Sequence, residues 1–169
     1  MITQGNLRMA SHDSDAEPRL YFEDLRVGQH FTTTVTHTVD EAQIKAFAAQ
    51  FDPQPFHLDA EAGRATLFGG LVASGWHTAA ITMRLILEGG PRLAGGTLGL
   101  GAELAWPKPV RPGDTLIVHG EIIDTTRSRT RPTRGRVRMR TETRNQLNEL
   151  VQVCTSTIMI PCRSASSGA

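Results

Sequence analysis

A chain of 169 residues is long enough to bury a sizeable core as a single domain. Its 18 basic residues against 17 acidic ones leave a formal net charge of +1, which excludes the strongly basic profile of a dedicated nucleic-acid binder. Two cysteines, Cys154 and Cys162, cannot make a disulfide framework and fit a reducing compartment. Residues 1–20 hold no apolar signal-peptide core, and no uninterrupted apolar run reaches membrane-spanning length. The expectation is a soluble cytoplasmic protein with no membrane partner.

Residues 1–18 are polar and aperiodic, and so are residues 163–169; they read as a disordered arm and a tail around one domain at 19–162. After a lead-in from Leu20 to Phe31, the β-rich run Thr32–Val39 predicts a first strand. Asp40-Glu-Ala-Gln43 reads as a capping-box start. The helix it opens carries Ile44, Phe47, Ala48 and Phe51 on one face and must stop before Pro53.

Pro53 and Pro55 fix their own φ and push Asp52 and Gln54 out of the α region. The segment Asp52-Pro-Gln-Pro-Phe-His57 therefore predicts a stiff, extended loop that carries a carboxylate and an imidazole. On spacing alone, the plainer reading is an aspartate that caps a turn and a satisfied loop histidine. Asp59 is placed to cap a short helix through about residue 66, and Gly69-Gly70 breaks the chain after it. From Gly75 to Leu87 the sequence predicts a helix of roughly 20 Å at helical rise. Only Arg84 is charged within Trp76–Leu87, so most of this helix is expected to be buried. Gly89-Gly90-Pro91 is the expected stop, with glycine past the last turn.

Beyond that stop the pattern changes to period two. Strands are predicted at 97–106, 114–126, 135–145 and 149–160, with Cys154 a small buried hydrophobe on the last. A proline-rich turn, Trp106–Gly113, joins the first pair and Asn145–Asn148 the last. One early strand, helices, then four consecutive strands is an α+β order.

Three blocks carry a resemblance: Phe-Ala-x-x-Phe-Asp52-x-x-Pro55-x-His57-Leu-Asp59, Phe68-Gly-Gly-x-Val72-Ala-x-Gly75, and Trp106-Pro-Lys-Pro109-Val-x-Pro-Gly-Asp114. Their order and character over about residues 20–161 resemble the MaoC-like (R)-specific enoyl-CoA hydratases. The resemblance implies a hot-dog fold, a curved antiparallel sheet wrapped around a central helix. It also implies hydration of 2-enoyl-CoA thioesters or dehydration of 3-hydroxyacyl-CoA, a homodimer, and no cofactor beyond the coenzyme A of the substrate.

Hydration needs a base to activate water, an acid to protonate C2 and a holder for the enolate oxygen. By resemblance Asp52 and His57 share the two proton transfers. Gly75, at the helix N-terminus, is the candidate for the third need. Gln54, Ser74 and Trp76 are expected against the substrate. Relatives usually have Phe-Asn-Pro where this chain has Pro53-Gln54-Pro55, often histidine at Ser74, and in some cases serine at Met83. Neither His57 nor His77 stands in a zinc-spaced cluster, so no metal is expected.

Eight arginines fall between Arg127 and Arg144. On a strand, Arg136, Arg138 and Arg140 share one face while Val137 and Met139 take the other. A solvated outer face is the plainer reading; the functional one is a landing site for coenzyme A phosphates at Arg136 and Arg138. The rival functions are a hot-dog acyl-CoA thioesterase and a non-catalytic acyl-CoA-binding subunit.

Overall fold

The computed structural model describes residues 18–163. The expected arm and tail lie, apart from Pro18 and Arg163, outside the described residues. The elements in chain order are a 3₁₀ turn (Phe22–Asp24), β1 (His30–Thr32), β2 (His37–Thr38), α1 (Glu41–Phe51), α2 (Pro55–Leu58), α3 (Ala60–Arg64), α4 (Gly75–Gly89), β3 (Leu98–Ala105), β4 (Thr115–Arg127), β5 (Arg134–Arg144) and β6 (Leu150–Pro161). The last four strands stand within one residue of their expected bounds. All pairings in the sheet, order β1-β4-β5-β6-β3 with β2 also on β4, are antiparallel. This is the hot-dog architecture, with α4 packed on the inner face of the sheet.

Strand alternation decides which side chains meet α4. On β5, Val137, Met139, Thr141 and Thr143 are buried while Arg136 and Arg138 are exposed. Ile81 and Leu85 of α4 pack with Leu116, Val118 and Val151 of the sheet. Two threonines on the buried helix face are satisfied: Thr82 Oγ1 meets Thr143 Oγ1 at 2.7 Å, and Thr78 Oγ1 donates to the Ser74 carbonyl at 3.3 Å.

Several expectations are corrected. The single strand over Thr32–Val39 is two short strands, because the chain leaves the sheet at Thr34, whose N–H reaches the Gly89 carbonyl at 2.9 Å. The capping box is half made. Asp40 Oδ1 accepts from the Gln43 N–H at 2.7 Å, but the Gln43 side-chain carbonyl meets His37 Nε2 at 3.0 Å instead. Pro55 starts a one-turn helix that contains His57, so the Asp52–His57 segment is extended only over its first half.

The central helix also departs from expectation. It runs to Gly89, and its cap Gly90 is extended (φ −95°) rather than left-handed. It is less buried than expected: Trp76, Met83 and Leu87 are 60%, 46% and 61% exposed, because β3, the last strand of the sheet, leaves that face uncovered.

Gly89 is inside the helix for its size. A Cβ there would stand 2.8 Å from the backbone nitrogen of Thr34. Helix propensity alone says that Gly89→Ala stabilises by up to about 1 kcal/mol. The backbone clash wins, and the substitution is expected to cost about 1–3 kcal/mol. A urea titration checks it, and an unchanged or raised midpoint contradicts the close approach.

Candidate active site

The site is built where α1 ends. Asp52 is the C-cap residue, held by its N–H to the Ala48 carbonyl at 3.0 Å, with φ −151° and ψ 68°. Pro53 denies the helix another turn. The Gln54 N–H then bonds the Asp52 carbonyl at 2.7 Å and the His57 N–H bonds the Gln54 carbonyl at 2.9 Å. These two tight turns swing the buried His57 back toward Asp52.

Asp52 Oδ2 and His57 Nε2 lie 3.4 Å apart, longer than a charge-assisted hydrogen bond. His57 Nδ1 stands 2.7 Å from the Val72 carbonyl. A carbonyl only accepts, so Nδ1 carries the proton and donates it. In the neutral ring, Nε2 is left as a lone pair facing the carboxylate. Two acceptors at that separation are complementary to a water that donates to both.

Three groups set the state of Asp52. The Ser74 hydroxyl donates to Oδ2 at 2.6 Å and the Gln54 amide to Oδ1 at 2.8 Å. The Ser74 bond is the largest influence, with Gln54 and His57 adding to it against partial burial, and together they hold the carboxyl below its ordinary range. Ser74 also caps α4, accepting the Trp76 N–H at 3.2 Å.

Gly75 begins α4, where its N–H has no intrahelical acceptor. The space a side chain would take is filled by Trp106, whose indole stands 2.8 Å from an ideal Cβ. The glycine expected to hold the enolate oxygen thus also makes room for tryptophan packing. Trp106 Nε1 donates to Gln152 Oε1 at 2.8 Å, and its ring meets Trp76 edge-on at 5.5 Å between centroids.

Asp52, Gln54, His57, Gly75 and Trp76 line one cleft of about 720 Å³ together with Phe56, Phe68, Lys108 and Arg111. Behind Trp76 lies a second, apolar pocket of about 380 Å³ between α4 and strands β3 and β6, which Trp76 also lines. Met83, at the position where some relatives carry serine, lines this second pocket. Ser74 is behind the wall, touching the cleft through Asp52.

Arg136 and Arg138 are not brought to this site. Their neighbours Val137 and Met139 face the core, so both arginines leave the opposite face of the sheet. Sequence reading missed Lys108 and Arg111. The signal lay in the third block itself, where Lys108 stands between Pro107 and Pro109 and Arg111 stands just before Pro112. His77 stacks on Phe47 at 4.7 Å, and its buried Nδ1 has no partner among the described residues. Burial is the main force that pushes its pKa down. Among the described residues no group of three His, Cys, Asp or Glu side chains is arranged to hold a metal.

A helix packed on an antiparallel sheet, with an Asp–His pair at the helix N-terminus, defines a protein of the hot-dog class. The MaoC like domain model matches residues 23–145, and the chain belongs to this family. It is similar to the MaoC-like dehydratase from Rhodospirillum rubrum, at 52% identity and a TM-score of 0.84, over 86% of this chain and 99% of that one. It is also similar to the unliganded R-hydratase PhaJ1 from Pseudomonas aeruginosa, at 28% identity and a TM-score of 0.64, over 89% of this chain and 95% of that one. Among curated proteins it matches the uncharacterized protein YdeM of Bacillus subtilis, 35% identical over 60% of this chain and 72% of YdeM. Nodulation protein N of Rhizobium meliloti is 33% identical over 57% of this chain, a match that takes in 62% of that protein's length.

Ser74→Ala removes a cap and the main donor to Asp52 together, and is expected to cost about 1–2 kcal/mol at neutral pH. A carboxyl whose native pKa is depressed contributes stability above its unfolded pKa and loses it as pH falls through the native value. The Asp52 share of the Ser74→Ala deficit should therefore vanish below that value, while the capping share persists. Urea midpoints at neutral and strongly acidic pH check this; a deficit independent of pH contradicts the Ser74–Asp52 bond.

Proposed function

We propose that this protein hydrates 2-enoyl-CoA thioesters to (R)-3-hydroxyacyl-CoA and runs the reverse dehydration. The observation that carries it is the Asp52–His57 pair at 3.4 Å, both side chains lining a cleft at the start of the central helix. Family membership supports the reaction class.

Water sits between Nε2 and the carboxylate. Its oxygen attacks C3 of the enoyl group, and one of its protons passes to the pair. A proton returns from the pair to C2, so the sum is the addition of one water. Because Ser74 and Gln54 make the Asp52 carboxylate a weaker base than usual, His57 Nε2 is the better proton acceptor, and Asp52 stabilises the imidazolium that forms. The enolate oxygen that develops meets the Gly75 N–H and the positive end of α4. Lys108, paired with Glu149 at 2.6 Å, and Arg111, bonded to the Phe68 carbonyl at 2.5 Å, stand at the cleft as cations for the coenzyme A phosphates.

The acyl chain runs past Trp76 into the apolar pocket, whose wall of Met83, Ile86, Met139 and Ile158 suits hydrocarbon. The uncovered α4 face and the end strand β3, with Leu98 and Leu100 exposed, suit pairing with a second copy in a homodimer. The compartment we assign is the cytoplasm, by the two unpaired cysteines. No helix among the described residues is long and apolar enough to cross a membrane.

Loss of enoyl absorbance without release of free thiol, on crotonyl-CoA and longer enoyl-CoAs, is the expected result. Thiol release in its place means hydrolysis and overturns the assignment. Asp52→Asn and His57→Ala should each lower turnover by about a hundredfold or more. Near-full turnover in either variant contradicts the shared water.

In the apolar pocket, Ala79→Leu should raise KM for long enoyl chains while leaving crotonyl-CoA unaffected. Equal losses on both substrates contradict that path for the chain.

A further inference from the structure

The arginine-rich segment forms a concave groove of about 790 Å³ on the outer face of the sheet. Arg127, Arg129, Arg131, Arg134 and Arg136 line it, and among the described residues no carboxylate does. Its floor includes Leu100 and Met159. Their strand neighbours Gly99, Gly101 and Ile158 line the apolar pocket on the other face. By strand alternation the groove and the Asp52 cleft are therefore separated by the sheet.

The groove is a built feature. The Ser128 N–H bonds the Arg134 carbonyl at 3.1 Å and the Arg134 N–H bonds the Arg131 carbonyl at 3.2 Å. Ser128 Oγ also accepts the Arg131 N–H at 3.1 Å, so the turn between β4 and β5 is fixed. Arg134 rests its guanidinium on Met159 Sδ at 3.1 Å, and Arg127 is held by Glu23 at 3.0 Å. Arg129, Arg131 and Arg136 are exposed, and their guanidiniums have no acceptor among the described residues. Elsewhere on the same strand the pattern differs: Glu142 accepts from both Arg140 and Arg144.

Like charges converging in a concavity repel, and an anion relieves that repulsion. Guanidinium forks bind phosphate bidentately. We propose that this groove is a second ligand site, taking a compact polyphosphate: two or more phosphate groups on a small frame. Its volume is that of a small-molecule site. Among the described residues no aromatic side chain lines it on which bases could stack, and the net charge of the chain is only +1, so a nucleic-acid strand is the poorer fit.

Calorimetric titration of the full chain with inorganic tripolyphosphate, and in parallel with adenosine 3′,5′-bisphosphate, tests the site. The two arms distinguish an inorganic source from a nucleotide-borne one. Binding should weaken on going from low salt to about 0.15 M, where the Debye length falls to about 8 Å. Arg129→Gln/Arg136→Gln should lose at least about tenfold in affinity. The double lysine variant, which keeps charge but loses the fork, should fall between. Arg129→Gln/Arg131→Gln, confined to the exposed turn, repeats the test without touching a strand. Arg138→Gln, outside the groove lining, should bind like the parent. No binding by the parent, equal affinity in the glutamine variants, or tighter binding of a duplex oligonucleotide each overturns the proposal. None of these outcomes depends on enoyl-CoA turnover, so the site stands or falls apart from the hydratase assignment.

Discussion

The Ser74 hydroxyl is the joint on which the site depends. It donates its one proton to Asp52 and accepts the Trp76 N–H, so one oxygen ties the end of α1 to the start of α4. Because the proton is committed to Oδ2, the carboxylate is held ionised and turned so that Oδ2 faces His57. The second constraint is the Val72 carbonyl, which fixes the His57 tautomer from the segment just ahead of the same helix. The separation and the protonation states of the Asp52–His57 pair are thus set by two residues of the 72–74 strip.

Much of this was legible in the chain. Proline fixes local geometry whatever surrounds it, so Pro53 correctly ends α1 and leaves Asp52 at its cap. Strands β4 and β5 announce themselves by alternation, because each has one buried face and one turned away from the core. What was not legible required knowing a neighbour. Nothing in Thr32–Val39 says that Thr34 will be drawn off the sheet by the Gly89 carbonyl. Likewise, Trp76, Met83 and Leu87 read as buried by composition, and only the sheet order shows that β3 stops short of covering them. Nothing in the sequence around Gly75 says that Trp106, thirty-one residues on, lies across it.

The two faces of the sheet have separate chemistry. Inward, β5 and β6 present hydrocarbon and a few satisfied hydroxyls. Outward, β5 presents cations. The separation follows from period two and costs no special device, since Val137 and Met139 cannot be in the core without Arg136 and Arg138 leaving it. An arginine count within eighteen residues therefore could not say which face, and hence which site, the charges serve.

The three sequence blocks that mark the family converge on one helix turn. The first supplies Asp52 and His57, the second Val72 to Gly75, and the third Trp106. Each meets the second through a contact that only its own residue type can make. Asp52 takes a hydroxyl proton from Ser74, His57 gives a ring proton to Val72, and the Trp106 indole occupies the space that the missing Gly75 side chain leaves. Trp106 is in turn anchored by the buried Gln152 of β6, the strand that pairs with β3 along the apolar pocket. The Asp52 cleft and the apolar pocket thus share a wall, which Trp76 lines on both sides. A side chain at Gly75 would displace Trp106 from that wall, and so reach both the Asp52–His57 pair and the pocket behind Trp76.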